Sequence, residues 1–453
     1  MTATVNEPAT RQAATLPRLL PAAPEDLRGH LARYGPTPYR GQTGLLIDDI
    51  EASGLTGRGG AAFPVYRKLA IVAQARGRKV VVANGAESEP ASRKDELLLR
   101  AAPNLVLDGL QLAAEATGAT EAHLYTHHGA TPEILRALAE RAAAGLDPVR
   151  VTITQAPPRF LAGQESALVN RLGGGPARPT FQPPRVTERG LHGAPTLVQN
   201  VETLAHIALI ARYGPRWFRA AGTSAEPGSM LTTVYSSDGR CRVVEAEIGT
   251  PLATLLSSGS QTRAWLVGGY HGTWLPLPQP TGLTPAAPAR SGPALTVPGL
   301  TVPALDAPTL DNATLRKYGA AVGAGVLAAL PSDRCGLAEA ARVAGYLAAE
   351  SAGQCGPCLN GLPRIAAALA ELAGPRPRRQ VRADVERWVG PQSLVEGRGA
   401  CHHPDGTVRF VRSALTVFAP ELSRHEKGQC SATNHRPFLP LPDGIPTSED
   451  DWT

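Results

Sequence analysis

No apolar run in this chain is long enough to cross a bilayer as a helix. The first twenty residues, MTATVNEPATRQAATLPRLL, lack the apolar core of a signal peptide. Together these absences predict a flexible N-terminal arm over 1–24 and a cytoplasmic protein, peripheral to a membrane at most. Charge of one sign is also scarce. Forty-five Lys and Arg against 39 Asp and Glu leave a net +6 on 453 residues, with the arginines widely spread. That excludes a nucleic-acid footprint and predicts solvated surface, with room for a patch that docks an acidic redox protein. There are only six cysteines, and four fall after residue 350. In a cytoplasmic chain such clustering favours metal or redox chemistry over structural disulfides. A hydrophobic fraction of 43% suits a globular protein, and the length predicts about two to four domains.

The densest information lies in residues 55–89. A glycine turn, Gly57-Arg58-Gly59-Gly60, runs into a helix-like segment carrying Arg67 and Lys68. A short apolar strand, Lys79 to Ala83, then ends on Asn84, Glu87 and Glu89. Glycines let a backbone press against a ligand and aim its N–H groups at an anion, and a helix start adds positive partial charge. With Arg58 and Lys68 the stretch reads as a cradle for a phosphorylated cofactor, facing a strand end with carboxylates. Strand–helix–strand alternation through His123–Thr126, a helix opened by Thr131-Pro132, and Val151–Thr154 predicts a parallel sheet with covering helices.

The runs GRGGAAFP and NGAESEP resemble the flavin-bearing, NADH-oxidising subunit of respiratory NADH dehydrogenase and its hydrogenase and formate dehydrogenase relatives, where the pattern is GRGGAGFP and then NADEGEP. FLAGQESAL is similar to that family's YICGEETAL, and PTLVQNVETL to its PTTVNNVETL. The resemblance extends from about Leu45 to about Leu422. It implies an α/β fold: an FMN-binding parallel-sheet domain (25–225), a small ubiquitin-like α+β module of the SLBB type (226–275), a Pro/Gly-rich linker (276–313), a helical bundle with an iron–sulfur site (314–425) and a tail (426–453) ordered on contact. It further implies that Gly57, Arg58, Gly59, Gly60 and Lys68 hold the flavin phosphate and the adjoining turn. Asn84, Phe160, Gly163, Gln164, Glu165, Gln199 and Asn200 would line the ribityl chain or ring, and Glu87 and Glu89 the nicotinamide side. Phe63 would stack on adenine. Read alone, Asn200 is equally a cap for the helix that follows it.

Several positions depart from the family pattern. Ala86 replaces an aspartate, Ile71 a second adenine platform, Gln182 a lysine and Arg185 a phenylalanine. Base–aromatic stacking contributes about 1–3 kcal/mol per base in nucleic-acid sites, so two lost platforms would weaken NADH by a decade or more unless Phe181 or Arg185 substitutes. Arg185 could also read the extra phosphate of NADPH. In the middle module Cys241 has no partner pattern and is expected to be buried and inert.

Near the C-terminus the family has Ser-Cys-Gly-x-Cys-x-x-Cys and one later cysteine, which hold a [4Fe–4S] cluster. Here Cys355, Cys358 and Cys401 match, and Ala352 stands where the first cysteine would be. Four thiolates are the usual set. Cys430 is the leading fourth ligand, with Cys335, His402 and His403 as alternatives; zinc on the same residues, or an empty site, are the competing readings.

Two functions follow. One is an oxidoreductase that takes a hydride from NAD(P)H onto FMN and passes single electrons to the cluster, then to a ferredoxin-like or membrane haem partner. The other is a scaffold or ligand-sensing subunit that has lost NADH oxidation. GRGG, Glu87, Glu89 and Glu165 favour the first; Ala86, Ala352 and the lost platforms favour the second and disfavour a respiratory-complex component proper.

Overall fold

The computed structural model describes residues 16–127, 131–181, 183–256, 261–277, 307–442 and 452–453. Four parallel strands, β1 (Val80–Gly85), β2 (Glu121–Thr126), β3 (Val151–Gln155) and β4 (Thr196–Asn200), form one sheet in the order β3-β2-β1-β4. Val80, Val81 and Val82 are fully buried, as expected of a central strand covered on both faces. The helix Pro103–Thr117 is buried along nearly its whole length and crosses Val201–Phe218. Gly109 permits that crossing, because a Cβ there would lie 1.9 Å from the Leu204 carbonyl oxygen. The chain steps outward from β1 to β2 to β3, then returns to place β4 on the other side of β1. The gap between β1 and β4 at their C-terminal ends is therefore a topological switch point, the place where open α/β sheets bind ligands.

A second, five-stranded sheet follows: β5 (Ser229–Tyr235), β6 (Cys241–Glu247), β7 (Thr262–Val267), β8 (Thr273–Pro276) and β9 (Val326–Pro331), in the order β6-β5-β9-β7-β8. Two hairpins flank a last strand that runs parallel to the first, with the short helix Leu252–Leu256 between them. This is the ubiquitin-like arrangement, and it needs β9, which lies beyond the Pro-rich segment in a stretch expected to be helical. VLAALP is apolar and buried throughout, so its pattern carries no strand period. Most of that Pro-rich segment, 278–306, lies outside the described residues. Cys241 is exposed, contrary to expectation, because it opens the edge strand β6.

The helices Gly336–Ala349, Leu362–Ala373, Arg379–Val389, His403–Val417 and Ala419–His425 build the third module. One apolar core joins them to one face of the second sheet through Leu266, Trp274, Leu337, Val385 and Phe410. The chain ends are tied down where they are described. Arg18 and Leu19 donate their backbone N–H groups to Glu245 Oε2 (2.6 and 2.8 Å), and Leu19 is fully buried, so residues 16–24 are not a free arm. Residues 1–15 lie outside the described residues. Glu339 accepts from the backbone of Phe438 and Leu439, and Trp452 packs under the Arg159 guanidinium at 4.2 Å. Among the described residues no helix is long and apolar enough to cross a membrane.

Candidate functional site

The glycine turn sits at the switch point. Asn84 and Asn200 are paired in register at the ends of β1 and β4. A Cβ on Gly59 would lie 3.3 Å from Asn200 Cβ, and Gly60 holds φ +105°, which a side chain would strain. Gly57 N–H donates to Phe63 O (2.9 Å) and closes the turn. The helix Val65–Gln74 then starts on Pro64 with no side-chain cap and no acidic residue in its first turn, which suits an anion. Lys68 Nζ lies 2.6 Å from Glu165 Oε1, each about one-quarter exposed, at the mouth of this crevice. Gln199 is 5% exposed, and its Nε2 donor has no protein partner among the described residues. A buried orphan donor at the end of β4 beside an open anion site fits the polar edge of a flavin.

Other expected contacts turn into the protein. The Arg58 guanidinium is buried against Thr56 Oγ1 (3.0 Å) and the Pro227 carbonyl (3.4 Å), while its backbone N–H donates to Thr203 Oγ1. Burial lowers its pKa, against Glu202 and Glu226. Gln164 Oε1 caps the helix Glu165–Leu172 by accepting from Ser166 N and Ala167 N. Asn200 Oδ1 accepts from Glu202 N (3.0 Å), and its Nδ2 donates to Asp95 Oδ2 (2.6 Å). Glu87 accepts from the backbone of Lys94, Asp95 and Glu96, at the start of the helix Lys94–Ala101. Burial, with the charge of Asp95, pushes its pKa up to about 7. Glu89 accepts from Tyr270 N (2.8 Å) in the β7–β8 turn and is likewise pushed up to about 7 by burial. Each of these groups is thus a structural clasp at the rim of the crevice. Phe63 is half-buried at the end of the glycine turn, Ile71 is exposed, and Phe181 is 78% exposed. Gln182 lies outside the described residues.

One loop connects this crevice to the cysteines. Asn84 Nδ2 donates to Gly163 O (2.9 Å), and a Cβ on Gly163 would meet the Ala86 carbonyl at 2.8 Å. Three residues earlier, Phe160 N donates to Glu350 Oε2 (2.8 Å), and Leu161 packs on Ala352 and Trp452. The Phe160 ring lies against His271 (4.8 Å between centroids) and His403 (5.6 Å), away from the glycine turn.

Cys355, Cys358 and Cys401 converge beside that loop. Burial, then the neighbouring Cys355, pushes the Cys358 thiol up to about 12, and Cys401 is raised by burial and by Cys355. Such thiols are held protonated until a metal takes the proton's place. Ala352 is buried in hydrocarbon at the fourth position. Cys430 is not brought to this site. It lies within 4.8 Å of Cys335, at the start of the 14-residue helix Gly336–Ala349, whereas Cys355 follows the other end. A helix of that length spans about 21 Å. His403 is buried with both ring nitrogens engaged, Nδ1 with His271 (3.0 Å) and Nε2 with Leu347 O (2.8 Å). His402 is exposed next to Cys401, with Nδ1 3.3 Å from Asp405 Oδ2.

Sequence reasoning missed Lys94, which is buried between Asp95 (2.7 Å) and Glu202 (2.9 Å) and forms the floor under Asn200. A lysine two turns from a strand end gives no periodic signal of burial. It also missed Ser88, whose Oγ accepts from Gly163 N (3.1 Å), and Trp452, which had only its apolar bulk in a polar tail to mark it.

The matches to known proteins agree with this geometry. Residues 50–209 match the Nuo51 FMN-binding domain, and residues 338–425 match the NADH-ubiquinone oxidoreductase-F iron-sulfur binding region. The chain carries the FMN-binding and iron–sulfur domains of the NADH dehydrogenase F-subunit type. It is 28% identical over 412 residues to the NADH-quinone oxidoreductase F subunit of Streptomyces coelicolor, covering 85% of this chain and 83% of that one. With the NADH-quinone oxidoreductase F2 subunit of Rhizobium meliloti it shares 27% over 425 residues, covering 89% and 92%. The crystal structure of an NAD+-reducing [NiFe]-hydrogenase in the H2-reduced state superimposes with a TM-score of 0.70 at 26% identity, over 87% of this chain. This chain spans 63% of that hydrogenase chain's length. These matches make it an F-subunit-like oxidoreductase subunit with an FMN-binding domain and a 4Fe–4S binding region, and NADH is the substrate in the F-subunit family.

Proposed function

We propose that this chain carries electrons from NADH, through FMN at the β1–β4 switch point, to an iron–sulfur cluster on Cys355, Cys358 and Cys401, and then to a separate redox partner. The observation that carries the reading is the 160–165 loop. Its Gly163 and Glu165 touch the crevice through Asn84 and Lys68, while its Phe160 and Leu161 touch Glu350 and Ala352 beside the thiols. One short segment therefore lines both redox sites. Bound FMN supplies the change from hydride to single-electron chemistry. The chain's own residues bind and orient. The open start of Val65–Gln74 and Lys68 hold the phosphate, and Gln199 Nε2 donates to a ring-edge acceptor. Glu87 and Glu89 fix the rim in place from the Lys94–Ala101 helix and the Tyr270 turn. No general acid is required, because hydride passes by proximity.

His402 takes the fourth cluster position, since it adjoins Cys401 and its ring is exposed and held only at Nδ1, by Asp405, whereas His403 is buried and engaged at both nitrogens. The exposed Phe181 gives adenine its stacking face in place of the missing platforms. An anaerobic absorbance spectrum of the purified chain tests the reading, recorded before and after NADH and then NADPH. Flavin bands with an iron–sulfur shoulder, bleached by NADH, are expected. A protein that stays colourless after reconstitution with FMN, iron and sulfide would refute it and leave the scaffold.

A further inference from the structure

The end of the helical module away from Cys355 holds four donor groups that neither redox site uses. Cys335 is the N-cap of Gly336–Ala349, Glu421 and His425 stand one turn apart on Ala419–His425, and Cys430 follows in the tail. One donor atom from each lies within 4.8 Å of all the others; Cys335, Glu421 and His425 are buried and Cys430 is exposed.

The surroundings orient these groups toward one point. His425 Nδ1–H donates to the Leu372 carbonyl (3.0 Å), so Nε2 keeps its lone pair, and it faces Cys335 Sγ at 3.6 Å. A backbone carbonyl on the far nitrogen is the usual outer-shell support of a metal-binding imidazole. The Glu421 carboxylate is steadied by Ser431 N (2.6 Å) and Ser431 Oγ, with Arg263 at 3.6 Å. Cys335 Sγ accepts from Ala338 N (3.4 Å) in the first turn of its helix.

We propose that Cys335, Glu421, His425 and Cys430 bind one zinc ion in a closed tetrahedral site that fastens the tail to the helical module. Two thiolates, an imidazole and a carboxylate make a borderline-soft set suited to zinc, and they match neither the four cysteines nor the two-cysteine, two-histidine set that holds iron–sulfur clusters. Zinc bonds of about 2.0–2.3 Å place tetrahedral ligand atoms about 3.3–3.8 Å apart, a small contraction of the cluster as it stands. Binding displaces the protons of Cys335 and Cys430. Zinc does not change oxidation state, so the site is structural and takes no part in electron flow. Its separation from Cys355, Cys358 and Cys401 by a helix about 21 Å long lets the two metal contents be scored independently.

The test uses the full chain, purified without chelator, and measures zinc and iron per chain by elemental analysis. About one zinc is expected. Cys430→Ser, at an exposed position, should lose most of it while iron is unchanged, and Cys355→Ser should do the reverse. Cobalt(II) added to chelator-treated protein should give the visible bands of a tetrahedral cobalt–thiolate centre, absent in Cys430→Ser. Three results would overturn the site: zinc below about a tenth per chain with no cobalt bands, equal zinc in Cys430→Ser, or a Cys335–Cys430 disulfide as the dominant form by mass spectrometry. Should Cys335→Ser fail to fold, Cys430→Ser carries the test alone.

Discussion

Replacing Lys94 by methionine removes the cation that two buried carboxylates share. Lys94 Nζ lies 2.7 Å from Asp95 Oδ1 and 2.9 Å from Glu202 Oε2, and the three side chains are 3%, 8% and 0% exposed. Breaking such a pair costs about 3–5 kcal/mol, because it strands charge in a place water cannot reach. A second route gives a similar magnitude. Burial alone would raise the Glu202 pKa, yet Lys94, with His206 and Arg58, holds it at about 2. Against an ordinary glutamate near 4.3 that is roughly 3 kcal/mol of stabilisation. The sign follows from the depressed value: the contribution is present above about pH 4.3 and is lost as the pH falls toward about 2. Lys94→Met should therefore lower the unfolding free energy of the flavin module, read from urea melts, by about 3 kcal/mol at pH 7 and flatten its acid limb. Asn200, clamped to Asp95, would lose its floor, so FMN should bind at least about tenfold more weakly by fluorescence quenching, a cost of about 1.4 kcal/mol. Lys94→Met combined with Asp95→Asn and Glu202→Gln should recover part of the stability, since no unpaired charge then remains. A single variant within about 1 kcal/mol of the parent, with unchanged FMN affinity, would refute the reasoning.

Glu89 has the opposite sign. Its folded pKa of about 7 is raised, so its charged form weakens the fold as pH climbs from about 4.3 to 7; Glu89→Gln should gain on the parent between pH 5 and pH 8 in thermal midpoints, and a constant difference would contradict its burial. Phe181→Ala should raise the dissociation constant for NADH by about tenfold or more in stopped-flow titrations and leave FMN content unchanged; no change would remove the stacking assignment. Ala352→Cys puts sulfur where hydrocarbon now meets Leu161 and Trp452; if it takes the fourth position from a histidine, the cluster potential should fall in an EPR-monitored titration, and an unmoved potential would argue against a histidine ligand.

The parallel sheet was readable because Val80–Ala83 is a short apolar run and Val151–Thr154 a β-branched alternation of Val, Thr and Ile, and the glycine turn because its residue types serve a close backbone approach. Strand β9 was not, since VLAALP has no alternation to separate a central strand from a buried helix. The placement of Cys430 failed for a different reason: nothing local in HEKGQC says toward which end of Gly336–Ala349 the tail folds back. Gln164, Asn200 and Glu87 show a third limit. An amide or carboxylate beside a helix start is chemically suited both to a ligand and to a cap, and only the folded structure divides the two.

The central position of β9 has a consequence for synthesis. β5 and β7 meet only through β9, which begins roughly fifty residues after β8 ends. At about 5–20 residues per second a ribosome needs several seconds to deliver it. Throughout that interval two hairpins expose the edges that β9 will cover. A nascent chain stalled before Pro331 should therefore be a strong client for chaperones that bind unpaired strands, while the upstream parallel sheet is already complete.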